Sequence, residues 1–330
     1  MPVTSRLIVC VLLTFALAAG SVINGHALAA EEVTKTDDSV EARPAASEAE
    51  LKYWLENMVC YHGFSAEEAS AATGLSPDVV QQKLKTFKIR PESQKGRDSL
   101  LVLPWPSGRH PRIGFLEGAI LPQRETKVSV FTPWGDHDYV VVDVPEAIWS
   151  NLGLTYLAHT HIPTVFDKQG KTLEKLEWNR HADGTLDIER VLPNGIRFGA
   201  VVRPKKDHVK MELWLKNGTP ELLTDLRVQN CVMLKSATGF NAQTNDNKQA
   251  EGPYALAHSA DGNRWIITAW EPLHRTWYND RCPCLHSDPK FPDCKPGKTV
   301  HLKGWLSFYE GKDIGSELER IEVVRKRETK

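Results

Sequence analysis

The clearest pattern in the chain lies in residues 192–235, where three runs alternate apolar and polar side chains. In the second run Val209, Met211, Leu213 and Leu215 fall on one side, and Lys210, Glu212, Trp214 and Lys216 on the other. In the third, Leu226, Val228, Val232 and Leu234 share a side with Asn230, opposite Arg227, Gln229, Cys231, Met233 and Lys235. A strand turns successive side chains to opposite faces, so this alternation predicts strands with one buried face. Pro204-Lys205-Lys206-Asp207 and Asn217-Gly218-Thr219-Pro220 separate the runs and supply turn chemistry. The expectation is a single antiparallel meander with a polar, partly aromatic outer face and a two-residue hairpin turn at Asn217-Gly218.

From residue 99 onward the chain reads mostly as strand and turn. Further strands are expected at 100–103, 113–119, 127–131, 139–144, 155–161, 186–191, 254–259, 265–270, 300–309 and 318–324, with one helical turn at 145–149. So many short strands predict a mainly β fold, a large antiparallel β-sandwich over 93–330. Residues 240–252 are polar and aperiodic, and 271–299 carry five prolines. Both read as long loops, where a β scaffold tends to place its sites.

Residues 48–92 follow a different period. Leu51, Trp54, Leu55, Met58 and Val59 recur at helical spacing. Ser65 and Glu68 form a capping box, Gly74 marks a turn, and Ser76-Pro77 opens a third helix. The result is a small trihelical module of helix-turn-helix type. Its third helix carries Lys83 and Lys85 against Asp78, too little positive charge for a DNA reader. Residues 30–47 are polar and read as a flexible linker.

The first 29 residues resemble an export signal: Arg6, an apolar run over 7–19, then Ala27-Leu28-Ala29. The expected protein is exported, periplasmic or secreted, with no stable membrane insertion after cleavage. A formal net charge of −1 argues against nucleic acid as a partner. Six cysteines are present; with Cys10 in the leader, five remain. Cys60 and Cys231 sit in apolar patterns. Cys282, Cys284 and Cys294 crowd one stretch, and in an exported chain this predicts a disulfide from Cys294 to Cys282 or Cys284. Zinc held with His274 is the alternative, disfavoured by the C-x-C spacing, and neither metal nor other cofactor is expected.

Two groups of residues suggest chemistry. His159 and His161 are two apart on an expected strand, so both imidazoles face one way, which suits acid–base work or a metal. Glu212, Trp214, Arg227, Gln229 and Lys235 would line the outer face of the meander as a sugar-binding surface. The cysteine stretch would add His274, Trp277, His286 and Asp288. Cationic and imidazole donors together suit an acidic or sulfated sugar. No nucleophile elbow, phosphate loop or dinucleotide fingerprint is present.

The strand ending at Asn217 and the run Lys295-Pro296-Gly297-Lys298-Thr299, leading into the strand at 301–309, resemble the galactose mutarotase-like β-supersandwich. The whole also resembles exported proteins of the planctomycete type. In mutarotases two histidines and a glutamate act on the sugar ring. The resemblance implies such roles for His159, His161 and Glu212, although their spacing departs from the mutarotase motif. The expected function is carbohydrate binding or modification outside the cytoplasm. The alternatives are a non-catalytic interaction protein and a metal-dependent enzyme using His159 and His161.

Overall fold

Apolar alternation builds two antiparallel sheets packed face to face. The computed structural model describes residues 42–90, 98–107, 125–159 and 162–328. The leader, the expected strand at 113–119 and His161 lie outside them. The strands are β1 (Val102–Pro104), β2 (Lys127–Phe131), β3 (Tyr139–Ser150), β4 (Gly153–Leu157), β5 (Asn179–Arg180), β6 (Leu186–Val191), β7 (Arg197–Pro204) and β8 (His208–Lys216). They continue with β9 (Val228–Met233), β10 (Lys248–Glu251), β11 (Tyr254–His258), β12 (Arg264–Glu271), β13 (Leu273–Asn279), β14 (Cys284–Pro289) and β15 (Thr299–Glu310). One sheet runs β1-β2-β3-β9-β14-β13, with β4 paired to β3; the other runs β10-β11-β12-β15-β8-β7-β6-β5.

Val140, Val142, Val228 and Val232 from the first sheet meet Val209, Met211, Leu213, Leu215, Ile266 and Leu306 from the second. All are buried, and each such side chain contributes about 1.5–3 kcal/mol relative to exposure. The outer faces are partly covered as well. Helices α1 (Glu48–Leu55), α2 (Ala66–Thr73) and α3 (Pro77–Thr86) bring Trp54, Leu55, Ala69 and Val80 onto Phe131, Tyr139, Val141, Cys231 and Met233 of the first sheet. The capping box at Ser65 and Glu68 forms, Gly74 adopts the left-handed conformation, and Ser76 caps α3. A π-helical turn, Glu56–Tyr61, extends α1. Arg43, in the stretch whose composition suggests a flexible linker, is anchored by Glu125 and Glu177 at 2.9 Å each. On the second sheet, helix α4 (Ile314–Glu328) lays Leu318 and Ile321 over Leu256, Ile267 and Trp305.

Several elements differ from the sequence reading. The meander is not one sheet: β7 and β8 pair within the second, whereas β9 crosses to the first between β3 and β14. Asn217-Gly218-Thr219 is therefore a crossover and not a hairpin. Asn217 is fully buried, and its amide donates to the carbonyls of Glu221 and Cys294 at 2.7 and 2.8 Å. A Cβ on Gly218 would lie 2.0 Å from the Gly195 carbonyl oxygen, so only glycine allows this approach.

Residues 145–149 continue β3 through a bulge between Asp143 and Ala147. Residues 318–324 belong to α4, because Leu318, Ile321 and Val324 follow helical spacing. The proline-rich stretch folds as the hairpin of β13 and β14, with Pro272, Pro283 and Pro289 at strand ends.

Candidate functional site

Two clusters of polar side chains stand out, one on each sheet. The first is an open groove on the outer face of the second sheet, beyond the part that α4 covers. Its volume is about 740 Å³, and it is lined by His181, Asp183, Thr185, Asp187, Arg203 and Trp214 among others. Pairing explains the arrangement: β8 sets Trp214 opposite Gly199 of β7, and β7 sets Val201 opposite Asp187 of β6. The Trp214 indole lies against Gly199, where an added Cβ would come within 2.6 Å of the ring. The missing side chain lets the indole lie down on the sheet as an aromatic surface beside the groove. Asp187 accepts from Asn179 at 2.8 Å and hydrogen-bonds to His181. Burial disfavours the Asp187 charge, but Asn179 and His181 outweigh it and hold the carboxyl below its ordinary range. Asp183 is also held down, by the Thr185 backbone and hydroxyl. Glu212 lies next to the groove and accepts from His301 at 2.8 Å, with Arg203 at 3.7 Å.

The second cluster is buried on the outer face of the first sheet. Glu146 joins His159 at 2.6 Å through one oxygen and accepts from Gln229 at 2.7 Å through the other. His286 Nδ1 lies 3.9 Å from Glu146 and 3.8 Å from Asp288. Asp288 accepts from Arg275 Nε at 2.8 Å and from Trp277 Nε1 at 2.7 Å, and Trp277 stacks on His286 with centroids 3.8 Å apart. Burial opposes ionisation of Glu146, yet His159, the charge of His286 and the Gln229 amide bring its pKa down to about 2. Burial likewise opposes charge on His286, but Asp288, Cys284 and Glu146 raise its pKa well above the ordinary value. Beside these groups Lys127 and Asp143 form an ion pair at 2.9 Å, with side chains 0% and 1% exposed.

The structure thus divides the residues singled out from sequence. It brings together His159, Gln229, Trp277, His286 and Asp288 on the first sheet, and places Glu212 and Trp214 on the outer face of the second. The mutarotase-like combination of His159 with Glu212 therefore does not converge, because β8 and the β3–β4 hairpin belong to different sheets. Arg227 pairs with Asp225 at 3.0 Å and lies over Trp149. Lys235 is exposed past the far end of β9. A strand rises about 3.3 Å per residue, so the two cations flank opposite ends of β9 and do not share a cleft. His274 is exposed at a bulge in β13. No disulfide joins any of the described cysteines. Cys294 is buried in the inter-sheet core, where its backbone pairs with Leu223, whereas Cys282 and Cys284 pack on the outer face with Cys231. The sequence reading missed His181, Asp183, Asp187, Arg203 and Glu146 as site residues. The alternation of Leu186 and Ile188 with Asp187 and Glu189 is a signal that could have put Asp187 on an outer face.

No family model matches the chain, and no curated protein matches it. Among solved structures it is similar to a putative kojibiose phosphorylase from human microbiome, with TM-score 0.34 and 9% identity, over 71% of this chain and 36% of that one. It is also similar to the Slr1438 protein from Synechocystis sp. PCC 6803, with TM-score 0.33 and 10% identity, over 56% of this chain and 88% of that one. A third similarity is to heparan sulfate lyase HepC from Pedobacter heparinus, with TM-score 0.32 and 8% identity, over 82% and 44%. The chain spans about a third of the length of the phosphorylase it matches. Function is therefore read from the site's own residues.

Proposed function

We propose that this is an exported carbohydrate-binding protein whose ligand occupies the Trp214 groove. The observation that carries the reading is the indole of Trp214 laid against Gly199 beside an open groove lined by carboxylates and a guanidinium. An aromatic plane packs on the apolar face of a pyranose, while Asp183, Asp187 and Arg203 hydrogen-bond to its hydroxyls. Asp183, Asp187 and Glu189 outnumber Arg203, so a neutral, hydroxyl-rich sugar suits the groove better than the acidic or sulfated sugar suggested by Arg227 and Lys235. The hydrogen bond between His181 and Asp187 favours a second reading, carbohydrate modification, with His181 as a base oriented by Asp187. A glycan array of the full chain tests the proposal. Retention of neutral glycans is expected, and an empty array would instead favour a non-catalytic interaction protein.

A further inference from the structure

Cys231, Cys284 and His286 are buried, and their ligand atoms all lie within 4.8 Å of one another. Cys284 and His286 are two apart on β14, so both project from its outer face. The register that sets Cys284 against Met233 and Leu285 against Val232 brings His286 level with Cys231 on β9. Cys284 Sγ lies 3.3 Å from His286 Nε2, and the Cys284 thiol also hydrogen-bonds with those of Cys231 and Cys282. Two sulfurs and one imidazole nitrogen therefore converge, and the Cys282 thiol lies beside Cys284 in the adjoining turn. A tetrahedral zinc(II) with Zn–S near 2.3 Å and Zn–N near 2.0 Å needs ligand atoms about 3.5–3.8 Å apart. Cys284 and His286 are at 3.3 Å, Cys231 is within 4.8 Å of both, and Cys282 would complete the set by a shift of its turn. The C-x-C spacing is no obstacle, because Cys282 comes from the turn before β14 and Cys231 from the neighbouring strand.

The surroundings match those of a metal ligand. His286 presents Nε2 to Cys284 and Nδ1 toward the carboxylates of Glu146 and Asp288. A metal-bound histidine commonly gives its second N–H to a carboxylate, which fixes ring orientation and tautomer. Trp277, stacked on the ring and bonded to Asp288, holds the plane. Three thiolates and a neutral imidazole around zinc(II) leave one negative charge. The ammonium of Lys248 is close enough to interact with Cys282 and Cys284 and offsets it.

We propose that Cys231, Cys282, Cys284 and His286 form a zinc(II) site on the outer face of the first sheet, distinct from the Trp214 groove. In an oxidising compartment the ion would also keep these neighbouring thiols from pairing.

The test is zinc titration of the full chain, purified under reducing conditions, against a chromogenic chelator, with cobalt(II) as spectroscopic stand-in. One ion per chain and the intense visible bands of a tetrahedral thiolate site are expected. Cys231→Ser and Cys284→Ser should weaken binding at least ~100-fold, Asp288→Asn about 10–100-fold, and Cys294→Ser should leave it unchanged. Should the serine variants not fold, alkylation of the wild type decides. Zinc should protect Cys231, Cys282 and Cys284 while leaving Cys60 and Cys294 unaffected. The inference is overturned by absence of zinc uptake, by full affinity in both serine variants, by alkylation rates indifferent to zinc, or by a Cys231–Cys284 disulfide that persists under the reducing conditions.

Discussion

Trp214 and Gly199 face each other across β8 and β7, and the indole occupies the space that a side chain at 199 would need. A Cβ there would lie 2.6 Å from the ring and 2.5 Å from the Ile188 carbonyl oxygen. Relief requires both a shift of the β6–β7 backbone pairing and a displaced indole. Gly199→Ala should destabilise the fold by about 1–3 kcal/mol, as overpacking does. Thermal denaturation reads the loss, and near-ultraviolet circular dichroism reads the displaced indole. An unchanged melting temperature and spectrum would show that the indole is not held there.

Lys127 and Asp143 form a fully buried pair, and removing one partner strands the other charge. Lys127→Met should cost about 3–5 kcal/mol in urea denaturation. The double variant Lys127→Met/Asp143→Leu should recover much of that loss. A double variant as weak as the single would mean that packing, not stranded charge, sets the cost.

Asp187 gives the groove a pH-dependent contribution to stability. Its folded pKa is lowered from 3.8. The stabilisation is therefore fully present above about pH 4 and is lost as pH falls through the folded value. The difference in stability between wild type and Asp187→Asn, read by urea denaturation, should therefore be constant above about pH 4 and shrink below it. A difference that stays constant down to about pH 2 would show that Asn179 and His181 do not stabilise the carboxylate.

The two-sheet sandwich was legible because burying one face forces period-2 alternation on strands such as β8. The crossing of β9 was not. It depends on Asn217 finding the Cys294 carbonyl, a partner 77 residues away that no local pattern announces. The β13–β14 hairpin was hidden because prolines read as breakers unless their strand-end positions are known. Helix α4 was misread because Val323 and Val324 favour strands locally, while Leu318 and Ile321 pack at helical spacing. Trp214 was identified as a binding residue from its outward position, but the Gly199 that seats it lies on another strand. His286 and Cys231 become neighbours only through the pairing of β14 with β9, and 54 positions between them conceal it.

Calorimetric titration of the tightest neutral glycan into wild type and Trp214→Ala tests the central claim most directly. The variant should stay folded, its melting temperature shifting by no more than about 2–4 °C per kcal/mol of lost indole packing. Its affinity should fall by about 2 kcal/mol or more, some 30-fold, as for a dominant aromatic contact. Equal affinity in the folded variant and wild type would contradict a sugar site at the Trp214 groove.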